Sequence, residues 1–278
     1  MAAVEIQVET DAGEAASAAA LIAGRALKHA VTIAEGAVFM ALSGGTTPRG
    51  MYERLAAQDG TRVPWERVHA LWGDERCVPP TDARSNYRMA KQTGLLDLPL
   101  AGIHRMPGEL QPEEGSRDYE EELRALFPEM AFPRLDLVVL GLGDDGHTAS
   151  LTPGSAALDE PRLWVRAVES YQGTPRLTLT LPVLARAAHL LFLVTGAAKA
   201  RIVGEVLGPE LKDCAHAPDA ADSQAGPHPG ASKVSVLPAR ALLDEVAARG
   251  QDAHGGKTAM PKVTWVMDQE AAARLPLP

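Results

Sequence analysis

Short apolar runs recur along the chain, and most of them stop at a glycine-rich or charged loop before a stretch with helical spacing begins. Val4 to Val8 alternates apolar and polar positions, as an edge strand does. Asp11 with Glu14 then reads as a helix N-cap and its reciprocal partner ahead of an Ala-rich helix to about His29. Ala37 to Leu42, Val68 to Trp72, Leu137 to Leu140, His189 to Thr195 and Val263 to Met267 are short and dominated by apolar residues, the pattern of strands buried in a parallel sheet. Between them the spacing predicts a helix over Arg49 to Ala57, with Thr47 as N-cap and Pro48 at the first helical position, and another over about Asn86 to Leu96, capped by Ser85. A Glu-rich helix is expected over Gly108 to Met130, and one opening at Gly196-Ala197-Ala198-Lys199 runs to Leu207. Leu163 to Val168 and the alternating Pro175 to Leu181 add strands, followed by a short helix over Pro182 to Ala188 and, at the far end, a short C-terminal helix.

Strands alternating with helices imply parallel βαβ units in a three-layer sheet, and right-handed crossovers bring several strand ends to one rim. Four of those ends carry chemistry. Leu140 runs into Gly141-Leu142-Gly143-Asp144-Asp145-Gly146-His147, where a group that titrates near neutrality stands beside two carboxylates able to orient it or raise its basicity. A solvated turn capping the next helix would explain the same residues. Leu42 runs into Ser43-Gly44-Gly45-Thr46-Thr47-Pro48, where orphan N–H groups, hydroxyls and the positive end of a helix dipole suit a phosphate. No Gly-Lys-Ser/Thr follows and no GxGxxG is present, so neither a Walker loop nor a dinucleotide fingerprint is at hand. Trp72 runs into Gly73-Asp74-Glu75-Arg76, and Thr195 into the loop of Lys199, a cation set against the dipole preference of a helix N-terminus and so suggestive of a bound anion. Arg176 is a further candidate. Basic groups with a Gly-Gly turn suit a phosphate; a histidine with a carboxylate suits general acid/base work.

Composition narrows the partners. The chain has 278 residues, 46 % hydrophobic and 23 % charged, which fits one large α/β domain. A net charge of −9 speaks against a nucleic-acid or anionic membrane partner, while a local cluster of basic groups still admits a small anion. Cys77 and Cys214 stand in no CxxC or zinc-ligand spacing, so a reducing, cytoplasmic setting and no structural metal are expected. Neither a signal peptide nor a membrane span is expected. Residues 215–232 and 249–259, rich in Ala, Gly, Asp and Pro, read as surface excursions, and their His216, His228 and His254 have no ligand spacing.

Taken in order, LSGGTTPRGMYERLA, WGDERCVPPTDARSNY, LDLVVLGLGDDGHTASLTPG, PRLTLTLPVL and TGAAKA resemble the 6-phosphogluconolactonases, within the wider superfamily that includes the glucosamine-6-phosphate deaminases. The resemblance implies a single α/β domain, three-layer α/β/α with a mostly parallel, Rossmann-like central sheet. It implies hydrolysis of 6-phosphoglucono-1,5-lactone in the oxidative pentose phosphate pathway with no obligatory cofactor; separately, a monomer or weak homo-oligomer is expected. Carried over by position, His147 would be the general base, Asp145 its orienting carboxylate, and Arg76, with Asp74 beside it, the group offsetting negative charge on the tetrahedral intermediate. Ser43, Gly44, Gly45 and Thr46 would hold the phosphate, with Lys199 and Arg176 as cationic partners. In the deaminases the segment after the histidine resembles GHIAFNEPG; here Thr152 stands where their glutamate does, and Arg76 replaces the tyrosine of their Asp-Glu-Tyr loop. Both departures favour the lactonase. A non-catalytic phosphosugar-binding regulator would keep Ser43 to Thr47 and Lys199 without needing a base at His147.

Overall fold

In the computed structural model the described residues are 4–34, 36–57, 62–171, 173–215, 237–251 and 261–276. Strands run over Val4–Glu9 (β1), Val38–Leu42 (β2), Val68–Trp72 (β3), Asp74–Arg76 (β4), Gly102–Ile103 (β5), Leu137–Leu140 (β6), Val165–Tyr171 (β7), Thr174–Leu179 (β8), His189–Val194 (β9) and Lys262–Asp268 (β10). Helices run over Ala12–Ile33 (α1), Thr46–Ala56 (α2), Asn86–Gln92 (α3), Pro112–Leu126 (α4), Leu181–Leu184 (α5), Ala200–Ala215 (α6), Pro238–Gln251 (α7) and Gln269–Ala272 (α8). Seven strands form a central sheet in the order β1-β10-β9-β6-β2-β3-β5, and every pairing in it is parallel. The helices flank this sheet, as the alternating pattern requires. No helix among the described residues is long and apolar enough to cross a membrane.

The buried strands explain themselves. All six residues of β9 and all four of β6 are buried, and the fully buried Phe192 and Trp265 rings stack on neighbouring strands with centroids 4.1 Å apart. A large apolar side chain buried to that degree contributes about 1.5–3 kcal/mol relative to an exposed one. Asp11 caps α1 by accepting from the amides of Gly13 and Glu14. The Ala15, Ala19 and Ala23 face of α1 has no bulk to keep it from packing closely against the sheet.

Strand order along the sheet sets where a ligand can bind. From β2 the chain winds outward through β3 to β5, then returns to the other side of β2 and winds through β6, β9 and β10. The direction reverses between β2 and β6, so the loops leaving their carboxyl ends diverge and leave a crevice there.

Several expectations need correcting. Asp74-Glu75-Arg76 is not a loop. It is β4, paired antiparallel with β8, which in turn pairs with β7 in a separate three-stranded sheet. The strand expected at 163–168 is β7, shifted to Val165–Tyr171, and the helix expected at 108–130 is the shorter α4. α2 begins one residue before Thr47, with Gly45 at the N-cap position and φ +105°, a backbone that side chains rarely adopt. Lys199 closes a 3-10 turn over Ala197–Lys199 that leads into α6. α7 and β5 were not expected. Residues 249–251 belong to α7; the rest of that excursion, and all of 215–232 except Ala215 at the end of α6, lie outside the described residues.

Candidate active site

A cavity of about 310 Å³ opens at the reversal point. Its wall includes Ser43, Gly44, Gly45, Thr46, Asp74, Arg76, His147, Arg176 and Lys199, so residues spread over more than half the chain face one space. Asp145 stands behind His147 and reaches the site through it.

From the end of β2, Ser43 enters a turn held from behind. The buried Tyr52 hydroxyl on α2 accepts from the Ser43 amide at 2.9 Å and donates to the Ser43 carbonyl at 3.1 Å, which fixes that peptide. Burial drives the Tyr52 pKa upward, so the phenol stays protonated. Gly44 is required by a close approach: a Cβ there would stand 1.7 Å from Oδ1 of Asn86. Gly45 offers α2 no side-chain cap, so the first-turn N–H groups that a helix leaves unsatisfied meet the cavity edge. The Ser43 hydroxyl oxygen is buried without a hydrogen-bond partner.

From the end of β6, the loop to His147 closes on itself. Gly143 N donates to the His147 carbonyl at 2.8 Å and Gly146 N to the Gly143 carbonyl at 3.1 Å, while Ala239 of α7 donates to the Gly146 carbonyl at 3.0 Å. Asp145 Oδ1 lies 2.6 Å from Nδ1 of His147 and accepts from its backbone amide at 3.1 Å. Partial burial alone would raise the Asp145 pKa; the hydrogen bonds from the His147 amide and ring outweigh it, and the carboxyl sits below its usual range. An ionised carboxylate only accepts, so the ring proton belongs on Nδ1 and the basic lone pair on Nε2. Gly143 makes room for that ring, since a Cβ there would stand 2.0 Å from Nδ1.

From the small sheet come the two guanidinium groups. Arg76 on β4 and Arg176 on β8 are register partners, and both line the cavity. Asp74, 5 % exposed, is held by Ser150 Oγ at 2.6 Å and Asn86 Nδ2 at 3.2 Å, with Arg176 at 3.8 Å. Its neighbour Glu75 turns the other way and accepts from the amides of Arg76, Asn86 and Tyr87 and from Ser85 Oγ, at 2.7–3.0 Å. Burial raises the Glu75 pKa, against the pull of those donors. Glu75 thus fixes the start of α3, and α3 presents Asn86. Lys199 completes the wall, with its Nζ 2.6 Å from Asp144 Oδ1.

Asn86, Ser150 and Tyr52 escaped the sequence reasoning. Asn86 reads locally as the first helical residue after a Ser cap, and its second task depends on the distant Asp74 and Gly44. Among the described residues no cluster of three or more His, Cys, Asp or Glu could hold a metal; His216, His228 and His254 lie outside them.

Comparison with known proteins gives the family. A family model described as glucosamine-6-phosphate isomerases/6-phosphogluconolactonase matches residues 10–225. A 6-phosphogluconolactonase of Synechocystis is 47 % identical over 176 residues, 62 % of this chain and 72 % of that protein. One of Haemophilus influenzae is 37 % identical over 172 residues, 61 % and 73 % of the two chains. The solved structure of 6-phosphogluconolactonase from Trypanosoma brucei superposes with a TM-score of 0.73 at 25 % identity, covering 99 % of this chain and 100 % of that one. The chain belongs to the glucosamine-6-phosphate isomerase/6-phosphogluconolactonase family, and these three relatives carry the lactonase name.

Proposed function

We propose that this protein hydrolyses 6-phospho-D-glucono-1,5-lactone to 6-phospho-D-gluconate. One observation carries the reading: the Asp145–His147 pair opens on the same cavity as a Gly-Gly turn at a helix N-terminus and three cationic side chains, Arg76, Arg176 and Lys199. The phosphate docks on the Ser43 to Thr46 turn, where α2 presents N–H groups and Lys199 and Arg176 supply charge. Nε2 of His147 takes a proton from water as the oxygen attacks the lactone carbonyl carbon. Arg76 offsets the charge that develops on the carbonyl oxygen. When the tetrahedral intermediate collapses, the bond from that carbon to the ring oxygen breaks. The imidazolium returns its proton to the ring oxygen, which leaves as the C5 hydroxyl. Asp74, bonded to Ser150 and Asn86, acts as a positioning residue. A lactone is an activated ester, so general-base catalysis of about a hundred- to ten-thousand-fold, added to anchoring by the remote phosphate, suffices without a covalent nucleophile.

The names of the relatives support the same activity. The family description also includes isomerases, against which the sequence offers Thr152 and Arg76. A cytoplasmic enzyme, working without a cofactor as a monomer or weak homo-oligomer, completes the proposal. A pH-stat assay of lactone opening tests it, because spontaneous hydrolysis supplies a baseline. Acceleration above that baseline, abolished in His147→Ala with phosphosugar binding retained, is the expected result. An unchanged baseline, together with conversion of glucosamine-6-phosphate to fructose-6-phosphate and ammonia, would replace the lactonase with an isomerase. Binding without either reaction would leave a regulator.

A further inference from the structure

Lys199 lines the cavity with an anion already beside it. Its ammonium lines the cavity beside the Ser43 to Thr47 turn, yet it is bonded at 2.6 Å to Asp144, three residues before His147. Both backbones are fixed. The turn carrying Lys199 is held where Gly196 N donates to both Asp268 oxygens, at 3.0 and 2.9 Å, and Ala197 N to Glu270 at 3.2 Å. The Asp144 carbonyl accepts from Arg201 at 2.8 Å, and its loop is closed by the Gly143, Gly146 and Ala239 bonds. An exchange of partners at Lys199 therefore needs only side-chain rotation. It is also cheap in solvation, because the Asp144 side chain is 77 % exposed and its carboxylate stays in water when released, whereas Lys199 is 26 % exposed.

We infer that Asp144 is an affinity-tuning residue, an internal anion that a ligand's phosphoryl group must displace to win Lys199. This rests on the reading of Lys199 as a phosphate-binding cation. A phosphoryl group brings about −1.5 to −2 charges and three acceptor oxygens, and it can engage Lys199, Arg176 and the first-turn amides of α2 together. A ligand with one negative charge offers Lys199 no more than Asp144 already does, and an unphosphorylated lactone offers nothing. Asp144 thus weakens binding of every anion that must displace it from Lys199 by a common factor, and a phosphoryl group overcomes that cost through the additional bonds it makes.

The test is a double-mutant cycle read by calorimetry with inorganic phosphate, with lactone KM and kcat measured in parallel. Asp144→Asn should tighten phosphate binding about two- to fivefold, the range expected for removing an exposed ion pair that competes with the ligand. The lactone KM should fall by a similar factor with kcat within twofold, and in the Lys199→Gln background the same substitution should change nothing. Unchanged phosphate affinity in Asp144→Asn, alongside weakened binding in Lys199→Gln, overturns the role of Asp144 while keeping Lys199 as the phosphate cation. Equal tightening in both backgrounds also overturns it, since a general change of net charge then accounts for the effect. If Lys199→Gln itself alters neither phosphate affinity nor KM, the phosphate reading of Lys199 fails, and the inference with it.

Discussion

The Ser150 hydroxyl donates to the Asp74 carboxylate across 2.6 Å, and both side chains are buried, at 1 % and 5 % exposure. This bond joins the segment just after His147 to the strand that carries Arg76. Asp74 also accepts from Asn86, whose side chain abuts Gly44. The segment of His147, the strand of Arg76 and the Ser43 to Thr46 turn therefore share one buried carboxylate as a reference point.

Ser150→Ala leaves a charged oxygen of Asp74 without its shortest bond. Hydrogen bonds to charged groups contribute about 1.5–3 kcal/mol, so urea denaturation should show a loss of that order. Because the segment after His147 and β4 then lose their common tether, kcat should fall by more than KM rises. A loss of stability with unaltered kcat would confine Ser150 to a structural role.

Asp145→Asn tests the orientation of the base. The amide can offer its NH2 to Nδ1, which favours the tautomer with its proton on Nε2, the wrong one for abstracting a proton from water. A loss in kcat of about a hundredfold or more is expected, approaching that of His147→Ala, with phosphate affinity kept. The depressed Asp145 pKa also has a sign. Its contribution to stability is present above the ordinary carboxylate value of about 3.9 and is lost as pH falls through the lower folded value. The variant should lack that acid-side loss in a series of melting curves against pH.

How much of this was legible in the sequence depends on which signals are local. β2, β6 and β9 announce themselves because strands buried on both faces must be continuously apolar, and the glycines beyond them because Asn86 and the His147 ring need the space that a Cβ would fill. The reversal of winding between β2 and β6 was not legible, since strand order depends on which helix covers which face. Asp74-Glu75-Arg76 carries three polar residues and no strand period, so its pairing with β8 is a tertiary effect. α7 does carry a helical signal, Ala239, Leu242, Leu243 and Val246 at spacings of three and four. Lying between stretches of Ala, Gly and Pro, it was masked by their composition.

Gly143→Ala separates the space a glycine provides from the flexibility it allows. No positive φ is required at this position; the constraint is the His147 ring, with Nδ1 2.0 Å from the added Cβ and the rest of the ring close behind. Either the ring or the loop must move, and both break the Asp145 alignment. The variant should bind inorganic phosphate as the parent does, while kcat drops at least tenfold, since misplacement by about 1 Å costs up to a hundredfold. Retained kcat would mean that the loop shifts as a unit with its hydrogen bonds intact.

His189 gives the fold a pH limit separate from the chemistry. It begins β9 at the opposite end of the strand from the cavity, is 7 % exposed, and bonds Thr264 through Nε2 at 2.8 Å. Burial lowers its pKa to about 4, with Lys262 adding to the shift and Glu5 opposing it. The unfolded chain takes up this proton near pH 6.5, and the folded one resists it until about pH 4. Stability from this group is therefore complete above about pH 6.5 and declines as pH falls from there to about 4, by at most about 3 kcal/mol. His189→Gln keeps a polar partner for Thr264 without a titrating ring. Urea midpoints measured from pH 7.5 to 4.5 should fall more steeply in the parent than in the variant, and parallel curves would assign the acid sensitivity to other groups. Because His189 stands away from the cavity wall, kcat at pH 7.5 should be the same in both proteins.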